Sequence, residues 1–163
     1  MRILGIDPGS LVTGYGVLEK NGADILHVDS GVIAPSPRKL FSARLHEIYT
    51  NLGILLKKFR PDEVAIEEVF FAQNVRSALK LGEARGVALL AIENQGLPMF
   101  EYSAREVKQA ITGYGQADKQ QVQKMIQRLL KLPEPSAVDA SDALAIAFCH
   151  FQSRKMKSYD RAS

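Results

Sequence analysis

Residues 2–19, RILGIDPGSLVTGYGVLE, place a single carboxylate, Asp7, where an apolar run stops. Ile3, Leu4 and Ile6 favour β-structure and put apolar side chains on both faces, so Met1 to Ile6 reads as a strand covered on both sides. Pro8 and Gly9 follow at once and suit a type II turn, with proline at the second position and glycine at the third, where φ is positive. Thr13, Tyr15 and Val17 then alternate with Gly14, Gly16 and Leu18 in a second run. The stretch predicts an antiparallel hairpin with the acid at its tip. Aspartate beside proline and glycine is also ordinary turn composition, and from these residues alone a turn cap and a functional acid stand even.

Outward from the hairpin, Ala23 to Ile33 reads as a third strand. A helix from Lys39 to Phe59 follows, with Phe41, Leu45, Ile48, Leu52, Leu55 and Phe59 on one stripe. Lys57, Lys58 and Arg60 gather at its C-terminus, where cations complement the helix dipole. Glu63 to Val69 reads as a strand that again finishes in acids, Glu67 and Glu68. After Phe70 and Phe71, Asn74 is a suitable N-cap for a helix from Val75 to Asn94. Ala78, Gly82 and Gly86 recur every fourth residue there and leave one face bare. Each interior glycine costs about 1 kcal/mol against alanine, which close packing on that face would offset. The first reading is packing on the helix's own sheet, and the second is a dimer contact.

Leu97 to Tyr102 reads as the last strand. Ser103 and Glu106 form a capping box that opens a short helix to Thr112, and Asp118 with Gln121 starts another that runs to Leu132. Pro133, Pro135 and Ser136 introduce the final helix, AVDASDALAIAFCHF, whose alanine-rich half must lie against other elements. The chain turns basic and polar from Gln152, so residues 1–152 are expected to form one domain and 153–163 a flexible tail.

A chain of 163 residues is of ordinary single-domain size. Its 21 Lys and Arg against 18 Asp and Glu give a net charge of +3, which suits a polyanionic partner without requiring one. Cys149 stands alone in an apolar run, so no internal disulfide is available and a cytoplasmic protein is expected. No secretion signal or membrane span is apparent.

Asp139 and Asp142 lie three positions apart, on one face of the final helix. One acid near a helix N-terminus is favoured by about 0.3–1 kcal/mol. A second on a face meant for burial calls for a cation. In an α/β fold, Asp7, Glu67 or Glu68, and Asp139 with Asp142 can converge. Two carboxylates at 4 Å repel by about 4 kcal/mol at an effective dielectric near 20, so the cluster implies a counter-cation. Every ligand is a hard oxygen and the three histidines are scattered, which disfavours zinc and favours magnesium or manganese. Two such ions can activate water and stabilise the leaving oxygen of a phosphodiester.

The blocks GIDPGSLVTGYG, AIEEVFFAQN, SALKLGEARGVAL, FEYSAREVKQ, LLKLP and VDASDALAIA resemble, in order and over nearly the whole chain, the RuvC family of bacterial Holliday-junction resolvases. The resemblance implies an α/β, ribonuclease-H-like fold, a mixed five-stranded sheet with helices on both faces. It implies a homodimer that makes paired, magnesium-dependent nicks in four-way DNA junctions and cooperates with the RuvA and RuvB branch-migration complex. Its four catalytic acids fall on Asp7, Glu67, Asp139 and Asp142, holding Mg2+, two per active site, with Mn2+ able to substitute. Lys108 and Lys119 fall near the cut phosphate and Phe70 at the junction centre, with Asn74 and Arg76 grouped as further DNA contacts. A dimeric family raises the standing of Ala78, Gly82 and Gly86 as a subunit contact. Glu68 stands where the family pattern carries a neutral residue. Adjacent strand residues face opposite ways, so only one of Glu67 and Glu68 can point at the metals, and the motif selects Glu67.

Three rivals are weighed against this reading: a ribonuclease-H-like nuclease acting on RNA, a nucleotide-binding ATPase of the actin and sugar-kinase type, and a non-catalytic junction-binding protein. The ATPase architecture needs two domains and fails on length. The non-catalytic binder leaves the four acids unexplained.

Overall fold

The computed structural model describes residues 1–68, 74–133 and 137–160. Five strands form one mixed sheet: β1 (Arg2–Asp7), β2 (Thr13–Asn21), β3 (Asp24–Ile33), β4 (Glu63–Glu67) and β5 (Met99–Tyr102), in the order β3-β2-β1-β4-β5. The first three pair antiparallel, whereas β4 runs parallel to both β1 and β5. Helices α1 (Phe41–Phe59) and α2 (Val75–Glu93) cover one face. Helices α3 (Ala104–Thr112), α4 (Lys119–Leu129) and α5 (Val138–Asp160) cover the other. This is the expected ribonuclease-H-like arrangement, with helices on both faces.

Strand alternation sorts the side chains between the two cores. On β1, Leu4 and Ile6 pack with Ile48, Leu52 and Leu56 of α1, while Ile3 joins the α5 side. Gly5 and Asp7 share the parity of Ile3 and so belong to the α5 face. On β4, Val64 and Ile66 lie under α1 and α2, and Ala65 lies under α5. Glu67 therefore shares the α5 face with Asp7.

Local capping chemistry places the helix starts as expected. Ser103 with Glu106 and Asp118 with Gln121 form reciprocal capping boxes at α3 and α4. The Asn74 side chain accepts from the Ser77 N–H at 2.9 Å and caps α2.

Several expectations need correction. Gly9 is not among the described glycines with positive φ, so the tip of the hairpin is not a type II turn. It is a longer connection in which a Cβ on Gly9 would lie 2.0 Å from the Val12 carbonyl oxygen, and close backbone approach accounts for the glycine. Thr13 closes this loop by donating to the Gly9 carbonyl at 3.0 Å, and the Arg44 guanidinium donates to the Ser10 carbonyl. Nor does the bare stripe of α2 pack on its own sheet. Ala84, Ala88, Ala91 and Ile92 are buried in the core that α2 shares with α1 and the sheet, while Ala78, Gly82 and Gly86 are exposed, with nothing within 4 Å of a Cβ built on either glycine. Finally, α5 continues to Asp160, past the point where composition predicts a tail. Arg154 is anchored by a bidentate pair to Glu63, with Nε–Oε2 at 2.8 Å and Nη2–Oε1 at 2.7 Å. Glu63 also meets the fully buried His150 at 2.6 Å, and Tyr102 Oη lies 2.7 Å from the other ring nitrogen.

Candidate active site

Asp7 ends β1 directly opposite Gly14 of β2, and Gly5 stands opposite Gly16. These glycines form a floor on which α5 rests almost backbone to backbone. A Cβ on Gly5 would fall 2.1 Å from the Ala143 carbonyl oxygen, one on Gly14 2.0 Å from that of Asp139, and one on Gly16 2.8 Å from Leu144. Ala140, Ala143 and Ala147 present correspondingly small side chains from α5, all buried. The close approach carries the first turn of α5 over the end of β1.

One carboxylate oxygen from each of Asp7, Asp139 and Asp142 comes within 4.8 Å of the other two. Glu67, at the end of the neighbouring strand, joins them through a hydrogen bond that the Asp7 carboxyl donates to the Glu67 carboxylate. Burial and then the Glu67, Asp142 and Asp139 charges push the Asp7 carboxyl from 3.8 up to about 8. Burial raises Glu67 and Asp142 as well. Lys119 Nζ stands 2.5 Å from Asp142 Oδ2. Burial opposes the charge on that lysine, but the Asp142 hydrogen bond and charge outweigh it and hold its pKa above the ordinary value.

Four partly buried acids share one lysine ion pair and one internal proton, and their environment favours a cation far more than it favours four free charges. Oxygen donors this close, without sulfur or imidazole among them, suit a hard divalent ion. The cluster lies in a cleft of about 710 Å3 whose lining includes Asp7, Glu67, Lys108, Lys119, Asp142 and Arg105. Lys108 and Lys119 both lower the Glu67 pKa by their charge, though less than burial raises it.

Residues 3–150 match the sequence model of the family described as crossover junction endodeoxyribonuclease RuvC. The chain belongs to the RuvC family. Its relatives include the crossover junction endodeoxyribonuclease RuvC of Geobacter sulfurreducens, 54% identical over 162 residues and 99% of each chain. That of Geotalea uraniireducens is 57% identical over 153 residues, covering 94% of this chain and 90% of the relative. Among solved structures, a Thermus thermophilus RuvC in complex with Holliday junction substrate matches at a TM-score of 0.90 and 36% identity, over 96% of each chain. Membership of the RuvC family makes the chain one of the nucleases.

Within the frame of the RuvC family, the expected site residues separate clearly. Asp7, Glu67, Asp142, Lys108 and Lys119 line one cleft, and Asp139 stands with Asp7 and Asp142 at its edge. Glu68 follows Glu67 past the end of β4, where its N–H donates to the Tyr102 carbonyl at 2.8 Å, and it too lines the cleft, so strand alternation does not turn it away as expected. Asn74 spends its side-chain oxygen on the α2 cap, and Arg76 is exposed in the first turn of that helix. Phe70 lies outside the described residues. Sequence reasoning missed the roles of Gly5, Gly14 and Gly16 in the site. Their signal was available: glycines at alternate strand positions, matched by alanines at three- and four-residue steps on the helix that carries Asp139 and Asp142.

Proposed function

We propose that the protein resolves four-way DNA junctions by paired, symmetric, metal-dependent phosphodiester hydrolysis during recombination and repair. The observation that carries this reading is the convergence of Asp7, Asp139 and Asp142 within 4.8 Å, beside Lys119, in a chain of the RuvC family. The Thermus relative's complex with Holliday junction substrate supports the choice of DNA over RNA as substrate.

Asp7, Glu67, Asp139 and Asp142 would hold Mg2+, two ions per site, with Mn2+ as a substitute. Bound there, the metal supplies an activated water and charge stabilisation for the leaving oxygen. The protein's own part is electrostatic and positional. With the ions held there, Asp7 would bind as the carboxylate. Lys119, now paired with Asp142, would serve the phosphate, with Lys108 adding positive charge on the same cleft wall. Phe70, three residues after Glu67 in sequence, would stack on a base at the crossover, and Asn74 and Arg76 lie close by in sequence for backbone contact.

A homodimer suits a substrate with two equivalent strands. The outer face of α2 supports a subunit contact there: Val75, Leu79 and Leu90 are exposed in line with Ala78, Gly82 and Gly86. The RuvA and RuvB complex is the proposed working partner, and the cytoplasm the proposed location. No helix among the described residues is long and apolar enough to cross a membrane.

The test is cleavage of an end-labelled synthetic four-way junction beside a linear duplex and an RNA/DNA hybrid, with magnesium or chelator. Wild type is expected to nick only the junction, symmetrically and only with magnesium, while Asp7→Asn binds without cutting. Cleavage of the hybrid instead would transfer the substrate to RNA. Binding without cutting in magnesium and in manganese would leave a non-catalytic binder.

A further inference from the structure

Arg85 projects from the middle of α2 toward the end of the sheet where the acids gather. Its Nη2 donates to Glu101 Oε2 at 2.5 Å, and its Nε donates to the main-chain carbonyl of Glu67 at 3.4 Å. Glu67 and Glu101 stand on adjacent strands, with Ile66 opposite Glu101 and Glu67 opposite Tyr102. One guanidinium thus ties a helix to two strands over the last two pairs of their ladder. The register of β4 with β1 ends one residue earlier, at Ile66 opposite Ile6.

The direction of approach defines what this residue can do. α2 packs on the face opposite α5, and the Glu67 side chain turns to the α5 face by strand parity. Arg85 therefore reaches the backbone of Glu67 and leaves its carboxylate to the acid cluster. Its side chain is only 20% exposed, and the planar fork fits an ion pair and a carbonyl together, which a lysine ammonium on one stem does not reproduce.

We propose that Arg85 is a positioning residue for Glu67, holding the strand end from which that carboxylate meets Asp7 and the metal. The proposal deepens the metal-site reading above and rests on it. Glu101 shares the work by fixing the guanidinium.

Calorimetric titration of Mn2+ into the free protein, with Arg85→Gln, Arg85→Lys, Glu101→Gln and Glu67→Gln beside wild type, tests it without reference to turnover. Groups that orient metal ligands through one intermediary change metal affinity by roughly 10–100-fold, so Arg85→Gln is expected to weaken Mn2+ binding at least about tenfold. The magnesium needed for half-maximal cleavage should rise in parallel, while junction binding in chelator stays as in wild type. Arg85→Lys should recover the melting temperature through Glu101 but not the metal affinity, and Glu101→Gln should weaken binding less than Arg85→Gln. Wild-type Mn2+ affinity in both Arg85 variants, beside a weakened Glu67→Gln, overturns the role of Arg85 alone. Wild-type affinity in Glu67→Gln overturns the metal-site reading and this proposal with it. Should Arg85→Gln fail to fold, Arg85→Lys and Glu101→Gln decide.

Discussion

A Cβ placed on Gly14 would lie 2.0 Å from the backbone oxygen of Asp139. The strand residue opposite Asp7 therefore sets how closely the helix bearing the other two aspartates can approach. Gly14→Ala forces either the strand or α5 to move. Overpacking of this kind costs about 1–3 kcal/mol, and a melting-temperature loss of that order is expected. Cleavage should fall further than stability accounts for, because Asp139 and Asp142 are carried away from Asp7 as a unit. Melting curves and single-turnover cleavage of one preparation check both.

Glu67 and Glu68 both line the cleft, but it is Glu67 that pairs with Asp7. Glu67→Gln is expected to remove nearly all cleavage, while Glu68→Gln, on the residue beyond β4, stays close to wild type. Equal losses in the two variants under saturating magnesium would show that pairing with Asp7 does not separate them.

Lys119 pairs with Asp142 and faces the same cleft. Removing one preorganised electrostatic group of this type costs about 10²–10³ in rate, and Lys119→Gln should fall in that range. A lost phosphate contact also lowers the slope of log affinity against log salt by roughly 0.9. Junction binding across a salt series in chelator measures that slope.

The pH dependence of the metal-free protein follows from Asp7. Its folded pKa of about 8 lies above its ordinary 3.8, so the folded state keeps a proton that the unfolded chain releases. Stability from this group is complete below about pH 4 and is lost as pH rises through about 8. In chelator, the melting temperature should therefore decline between these limits, and Asp7→Asn should show a smaller decline. Saturating magnesium should reverse the trend, since the ion binds the deprotonated site. Calorimetry across pH, with and without metal, checks the sign.

Glu63 behaves in the opposite sense. Burial works against its charge, but hydrogen bonds from Arg154 and His150 prevail and hold its pKa below the ordinary value. Its contribution is present above the ordinary glutamate range and is lost as pH falls through the depressed folded value. Ending the chain at Gln152 removes Arg154 and should lower the melting temperature at neutral pH. For a chain of this size the expected drop is about 2–4 °C per kcal/mol. No change on truncation would show that the Arg154 clamp contributes nothing in solution.

Features that depend on residues a few positions apart were legible in the chain. The boxes at Ser103 and Asp118 close within three residues, and Asn74 caps its own helix in the same way. Asp139 and Asp142 share a helix face by spacing alone, whereas alternation does not reach Glu68, which follows the end of β4 and lines the same cleft as Glu67. The motif order then named the acids, because the resemblance supplied which strand end and which helix belong together.

Three-dimensional contact decided the rest. The Gly82 and Gly86 face of α2 has a spacing that fits either side of a helix, and only the docking of Ala84, Ala88 and Ala91 on the sheet shows that it points outward. Composition assigned Arg154 to a tail because its partner, Glu63, lies 91 residues earlier. Arg85 reads as a surface arginine until β4 and β5 stand side by side. The sequence by itself determined the strands, the caps and the chemistry of the four acids, since those are properties of residue type and short-range spacing. The tertiary structure alone decided how near the acids stand and what holds them, because a separation of a few ångströms is set by α5 settling on glycines remote from it in the chain.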